Sequence, residues 1–430
     1  MSRMHSLRGL ALTLGVMGIA NSCTVPFSDV IAPNAARGDM FNSYVAIGNS
    51  ITAGYQSGGI IDSTQRRSYA FLLAQSMGTR FGYPSLAGRG CAPLIVSFLT
   101  QARPVGTTAA TCDLRAAATA TDAMNNLGVP GAWSYDPNSR SSATSNALTT
   151  FFLGGMSQVQ RARQANPTFA SIWIGNNDVL GPGSTGCTTA NAACPVPLTA
   201  ITASATFATT YDAIIDSLRK TSPNLKGVLI GAVNVTNAPL YFPVDSLTGP
   251  VKTAFDAIAC GAGTASTTCA IGTPSAVDLD ASCAPGSGAL INAMLAFQIR
   301  TNALPAFIVC TPGGAGTFGP LPAVVGDILV LTAAEQTTIS TAVTAYNAYL
   351  STKATALGWA YYNPNTQLAA LKTVGTVVRR VPNFGSATAP FGTGMSLDGV
   401  HPNAAVHLIV ANDIITAINA KYGTKLPAVF

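Results

Sequence analysis

Charge is the scarcest property of this chain. Asp, Glu, Lys and Arg make up 9% of its 430 residues, against about 25% in an average soluble domain. One glutamate, Glu335, is present. Paired-carboxylate glycoside chemistry would therefore rest almost entirely on Asp, and no pattern supports it. The net charge of +6 is spread along the chain without a Lys/Arg cluster. Phosphate binding needs concentrated positive charge, so the chain has no nucleic-acid footprint.

Other absences narrow the chemistry further. Histidine occurs three times, at His5, His401 and His407. The nine cysteines form no C-x-x-C and have no neighbouring histidine, which argues against a zinc site. No G-x-S-x-G occurs, so the nucleophile elbow of α/β-hydrolases is not the route. The string GAGTFG at 314–319 fits G-x-G-x-x-G in letters. Pro320 and Pro322 follow at once, so no helix opens there and the phosphate-binding context fails.

Gly, Ala, Ser and Thr fill the space that charge leaves. At the N-terminus Arg3 and Arg8 flank the start of an apolar stretch over 10–20, followed by Asn-Ser-Cys. That pattern predicts an export signal over 1–22. The stretch is too short to span a membrane, which needs about 20 apolar residues. Ala20-Asn21-Ser22-Cys23 resembles a bacterial lipobox, with Cys23 as the acylated residue, although Asn21 is large for its place. Residues 23–40 then read as a tether. The expected location is the bacterial cell envelope or the extracellular space, with membrane contact only through the anchor.

The eight remaining cysteines fall along the chain as four neighbouring pairs. The expected disulfides are Cys91–Cys112, Cys187–Cys194, Cys260–Cys269 and Cys283–Cys310. Each would staple a loop in an oxidising compartment.

Four apolar runs, at 44–47, 170–174, 228–233 and 359–362, read as buried parallel strands. Helical patterns lie at 69–77, 203–220, 334–357 and 404–422. Alternating strand and helix predicts a doubly wound α/β sheet. Residues 91–150, 181–200 and 240–330 read as insertions, the last with one helix over 289–301. The expected organisation is one domain over 41–425.

Four short segments carry chemistry. In YVAIGNSITAG an apolar run stops at Gly48-Asn49-Ser50, placing a small hydroxyl at a strand end. In SLDGVHPN, Asp398 precedes His401 by three residues, with Gly399 permitting a tight turn. A carboxylate so placed can accept from imidazole Nδ1–H, leaving Nε2 to take a proton from a hydroxyl. The bland alternative is an Asp that caps the following helix. His407, inside the last helical pattern, reads as structural. In WIGNNDVL a buried strand ends at Gly175 and presents Asn176, Asn177 and Asp178. Ligands of open α/β sheets bind outside such strand ends, and an Asn amide is a known oxyanion donor. In PSLAGRGCAP, Gly88 and Gly90 allow close backbone approach.

GNSITAG, AGRG, GNND and DGVHP, in that order, resemble the blocks of the SGNH, or GDSL-type, hydrolases. The resemblance spans about 44–422, and its second block is the loosest match. It implies a three-layer α/β/α flavodoxin-like fold, ester or related acyl hydrolysis, and no metal or organic cofactor. The resemblance casts Ser50 as nucleophile and Asp398 and His401 as acid and base. Asn177 takes the side-chain oxyanion role. Gly90, with Gly88 as the other register, supplies a backbone donor beside the Ser50 N–H. The family's Gly-Asp-Ser is Gly-Asn-Ser here, so Asn49 keeps an acceptor for the turn but loses a charge. The expected substrate is a small-molecule, lipid or glycan ester. The alternative is a surface lipoprotein that binds lipid or glycan on an inactive scaffold of this type.

Overall fold

Strand β1 (Tyr44–Gly48) is buried at every position in the computed structural model, as a strand covered on both faces must be. The structure describes residues 37–114, 124–139, 147–185, 188, 200–260, 277–302, 306–310, 317–318 and 330–430. The predicted signal, the tether up to residue 36, Cys23, the Cys187–Cys194 pair, Cys269 and most of the GAGTFG string lie outside the described residues.

β1 pairs in parallel with β2 (Phe169–Trp173), β2 with β3 (Lys226–Ile230), and β3 with β4 (Ala360–Tyr362). These are the four predicted strands, displaced by a few residues at their ends. Helices α1 (Ser50–Ala53), α2 (Tyr69–Met77), α3 (Gln158–Gln164), α4 (Asn177–Thr185) and α5 (Ser204–Thr221) follow in chain order. After them come α6 (Gly249–Cys260), α7 (Leu295–Asn302), α8 (Ala333–Leu357), α9 (Pro364–Thr373) and α10 (Ala404–Tyr422). α2 and α10 cover one face of the sheet, while α3, α5 and α8 cover the other. The result is the α/β/α layering expected from strand–helix alternation.

The covering helices bury the faces their periodicity marks. α5 buries Phe207, Tyr211, Ile214, Ile215 and Leu218. Phe207 stacks on Tyr346 of α8 at 4.0 Å between ring centroids. On the opposite face His407 of α10 is fully buried, and its Nδ1 accepts from the Tyr69 N–H of α2 at 3.2 Å. Burial pushes the His407 pKa down to about 3, with the His401 charge adding to the effect. It stands in the core as a neutral imidazole.

Two segments differ from expectation. Residues 91–150 are not merely an insertion, because 124–129 lie along β1. The Ala46 N–H donates to Asn125 O at 2.8 Å, Leu127 N–H to Ala46 O at 2.8 Å, and Val129 N–H to Gly48 O at 3.1 Å. The sequence here, MNNLGV, is too polar at its start to read as a strand; the Asn125 amide instead donates to Tyr44 O at 2.8 Å. The helix expected over 289–301 is a strand, Leu290–Asn292, followed by α7. Short apolar runs fit either form. Pairing with Tyr241–Pro243 and Val330–Leu331 in a small antiparallel sheet decides for strand.

Two expected disulfides are present, Cys91–Cys112 and Cys283–Cys310. Cys260 is also disulfide-bonded. An aromatic group ties the loops together. Phe98 meets Phe297 and Phe391, each at 5.2 Å, and Phe384 meets Phe242 at 5.3 Å and Phe255 at 5.4 Å. Edge-to-face contacts of this kind add to the area the rings bury.

Candidate active site

Ser50 begins α1 where β1 leaves the sheet. The turn is closed by Asn49, whose Oδ1 accepts from the Ile51 N–H at 3.1 Å. This is the usual N-cap service, which needs an acceptor oxygen but not a charge. Gly48 is obligatory for the turn, since a Cβ there would lie 2.0 Å from Thr52 Oγ1 and 2.7 Å from Trp173 O. Ser50 is thus pinned at the carboxyl end of the sheet.

The chain's other end meets it there. His401 Nε2 lies 2.8 Å from Ser50 Oγ, and His401 Nδ1 lies 2.9 Å from Asp398 Oδ2. The Asp398 carboxylate accepts four further bonds. The donors are Gly58 N–H at 3.1 Å, Ser396 Oγ–H at 2.9 Å, Val400 N–H at 3.0 Å and His401 N–H at 2.9 Å. Burial alone would raise its pKa. The attraction of His401 and these donors outweigh burial and hold it well below the usual carboxylate range. Tyr55 packs against the imidazole at 5.1 Å between ring centroids. Fixed in this way, the imidazole has one nitrogen committed to a carboxylate and the other on a hydroxyl. That connectivity can take a proton from the hydroxyl as it attacks an electrophile.

A pocket of about 390 Å³, part of it open to solvent, lies over Ser50 and His401, with Asn176, Asn177 and Leu180 opposite. Asn176 Oδ1 accepts from Val233 N–H at 3.0 Å and so joins the ends of β2 and β3. Asn177 Nδ2 donates to Ala132 O at 2.9 Å, which leaves its second N–H available. Asp178 is fully buried and faces away, accepting from Ser134 Oγ–H at 2.6 Å and Ser134 N–H at 2.9 Å. Its carboxyl is raised, chiefly by burial. Asn177 and Asp178 together clamp the turn that follows 124–129.

Of the residues read from the sequence, Ser50, His401 and Asn177 line one pocket, and Asp398 reaches it through His401. Gly88 and Gly90 are not part of it. The Gly90 N–H donates to Ala87 O at 3.2 Å, and a Cβ on Gly90 would lie 2.2 Å from Ile60 O. Gly88 sits against Asp113 Oδ2. Gly131 lies in the clamped turn, next to Ala132, whose carbonyl accepts from the pocket residue Asn177. It is exposed, has φ +84° and its N–H has no hydrogen-bond partner among the described residues. The Ser50 N–H is likewise unpartnered there. The signal for Gly131 was NLGVPGA, an apolar step into Gly-x-x-Gly beside Pro130. Nothing local marked Gly58 or Ser396 as supports of Asp398, because the first reaches it across 340 residues.

A family description for GDSL-like lipases/acylhydrolases matches residues 44–259, just over half of the chain. The chain belongs to this family. The match covers Ser50 and Asn177, while Asp398 and His401 lie C-terminal to it. Among solved structures, the chain is similar to the acetyl xylan esterase AlAXEase. That pair is 13% identical over 87% of this chain and 98% of the other, with a TM-score of 0.33. An extracellular lipase from Streptomyces rimosus is 15% identical over 88% and 98%, with a TM-score of 0.30. A carbohydrate esterase family 2 enzyme of Corynascus thermopiles (Myceliophthora fergusii), with its carbohydrate-binding domain, is 12% identical over 73% and 68%, with a TM-score of 0.22. Curated proteins return no match.

Proposed function

We propose that this GDSL-type ester hydrolase works through an acyl-Ser50 intermediate. One observation carries the reading: the unbroken row Asp398–His401–Ser50, with contacts of 2.9 and 2.8 Å, opening on a pocket. His401 removes the Ser50 proton as Oγ attacks the ester carbonyl. Asp398 holds the tautomer and stabilises the imidazolium. The developing oxyanion takes hydrogen bonds from the Ser50 N–H, the Asn177 amide and the Gly131 N–H, which replaces Gly90 in this account. His401 then returns its proton to the leaving alcohol. Water, activated by the same imidazole, hydrolyses the acyl-enzyme.

Asn49 serves the turn as a neutral cap, so its substitution for Asp leaves the nucleophile placed. The disulfides fit an exported protein. We assign 1–22 as the signal, Cys23 as the lipid attachment point, 23–40 as the tether and 41–425 as the hydrolase domain. No helix among the described residues is long and apolar enough to cross a membrane.

The test is turnover of p-nitrophenyl esters by the wild type beside Ser50→Ala and His401→Ala. Both variants lose at least about 10³-fold in kcat. Equal rates in Ser50→Ala and the wild type would refute the assignment. Export and lipidation are checked by the mass of the N-terminal peptide from the membrane fraction, with and without Cys23→Ala.

A further inference from the structure

A second recess adjoins the Ser50 pocket. It measures about 560 Å³, part of it open to solvent, and shares Ile51, Val233, Ala238 and Val400 with that pocket as common walls. Beyond these walls Trp173 closes the sheet end, Leu368 and Leu371 come from α9, and Val406 and Val410 come from α10. The polar groups of the lining residues are the Gln367 amide and the Trp173 indole N–H, the latter buried without a partner. The recess is thus a concave apolar surface that begins at the residue following the nucleophile.

Its chemistry discriminates among esters. A sugar ring presents hydroxyls on every side and needs more polar partners than the two this lining carries. An acetyl group extends one carbon past the carbonyl and leaves the recess empty. An alkyl chain fills it and removes apolar surface from water on both partners. We infer that the recess takes an apolar chain of the ester, so that the substrates are esters bearing an alkyl chain several carbons long. This rests on the proposed hydrolase function. The chain can belong to the acyl group or to the alcohol.

Two ester series separate those sources: p-nitrophenyl acyl esters from acetate to decanoate, and alkyl acetates from ethyl to octyl. In one series kcat/KM rises about fourfold per added methylene until the recess is full. Leu368→Trp, which fills the recess from α9, abolishes that rise. Leu368 is half-buried, and Leu368→Asp is the second variant should the Trp not fold; it abolishes the rise as well. Profiles that are flat in both series while acetate is hydrolysed overturn the inference and spare the hydrolase reading. A rise that both Leu368 variants leave intact also overturns it.

Calorimetry on Ser50→Ala with acetate, octanoate and octanol decides the point without turnover. Octanoate or octanol binding at least about tenfold tighter than acetate, and weakened by Leu368→Trp, supports the recess even if no ester is cleaved. Equal binding overturns it.

Discussion

Two aspartates next to residues of the same pocket answer burial in opposite ways, Asp398 behind His401 and Asp178 beside Asn177. Asp178 is fully buried, and the side chain of Asp398 is 15% exposed. Asp178 faces the neutral Ser134, and burial raises its pKa. Asp398 faces His401, and its pKa falls far below the ordinary value despite burial. Burial therefore does not fix the charge of a carboxyl here; the group it faces does. The two also hold different parts. In the proposed mechanism Asp398 orients the base, whereas Asp178 anchors the turn that carries Gly131. Loss of the first removes chemistry, and loss of the second loosens geometry.

That contrast orders the expected effects of substitution. Asp398→Asn lowers kcat about 10³- to 10⁴-fold, because the imidazolium loses its counter-charge and the tautomer its guide. Steady-state kinetics with the fold checked by circular dichroism measure this. Asn177→Ala costs about 10²- to 10³-fold in kcat with KM little changed, as expected for a donor used in the transition state. Asp178→Asn keeps one acceptor for Ser134 and costs about tenfold in kcat. An Asp178→Asn loss as large as that of Asp398→Asn would erase the distinction between base-orienting and turn-anchoring carboxylates.

The smallest effect separates two acid transitions. An unfolded His takes up a proton near pH 6.5, about where buried His407 refuses one until about pH 3. The unfolded state then binds more protons, so stability falls as pH drops from 6.5 to 3. Asp398 behaves differently, since its depressed pKa stabilises the fold above about pH 4 and that contribution is lost as pH falls further. In His407→Gln the Gln oxygen can still accept from the Tyr69 N–H, so the decline between pH 6.5 and 4 flattens while activity stays within about twofold. Thermal melts across that range measure it. A decline of unchanged slope would remove His407 as its source.

Sequence patterns reached the sheet because parallel strands buried on both faces are plain apolar runs, and all four occur where YVAI, ASIWI, VLIGAV and WAYY stand. The row of Ser50, His401 and Asp398, which we propose as nucleophile, base and acid, was legible for a local reason. Ser50 follows an abrupt strand end, and Asp398 and His401 lie within one turn. The second backbone donor we propose was not legible. AGRG and NLGVPGA each offer two glycines, and neither string shows that 124–129 pairs with β1 and that the turn after it meets Asn177. The apolar recess was also hidden. Its walls come from β2, α9 and α10, whose residues each look like ordinary core in isolation.

The most direct measurement is the site of covalent labelling by a fluorophosphonate. The account predicts one adduct, on Ser50, lost in Ser50→Ala and slowed at least about 10²-fold in His401→Ala. An unlabelled wild-type protein, or a label on another residue that persists in Ser50→Ala, would contradict it.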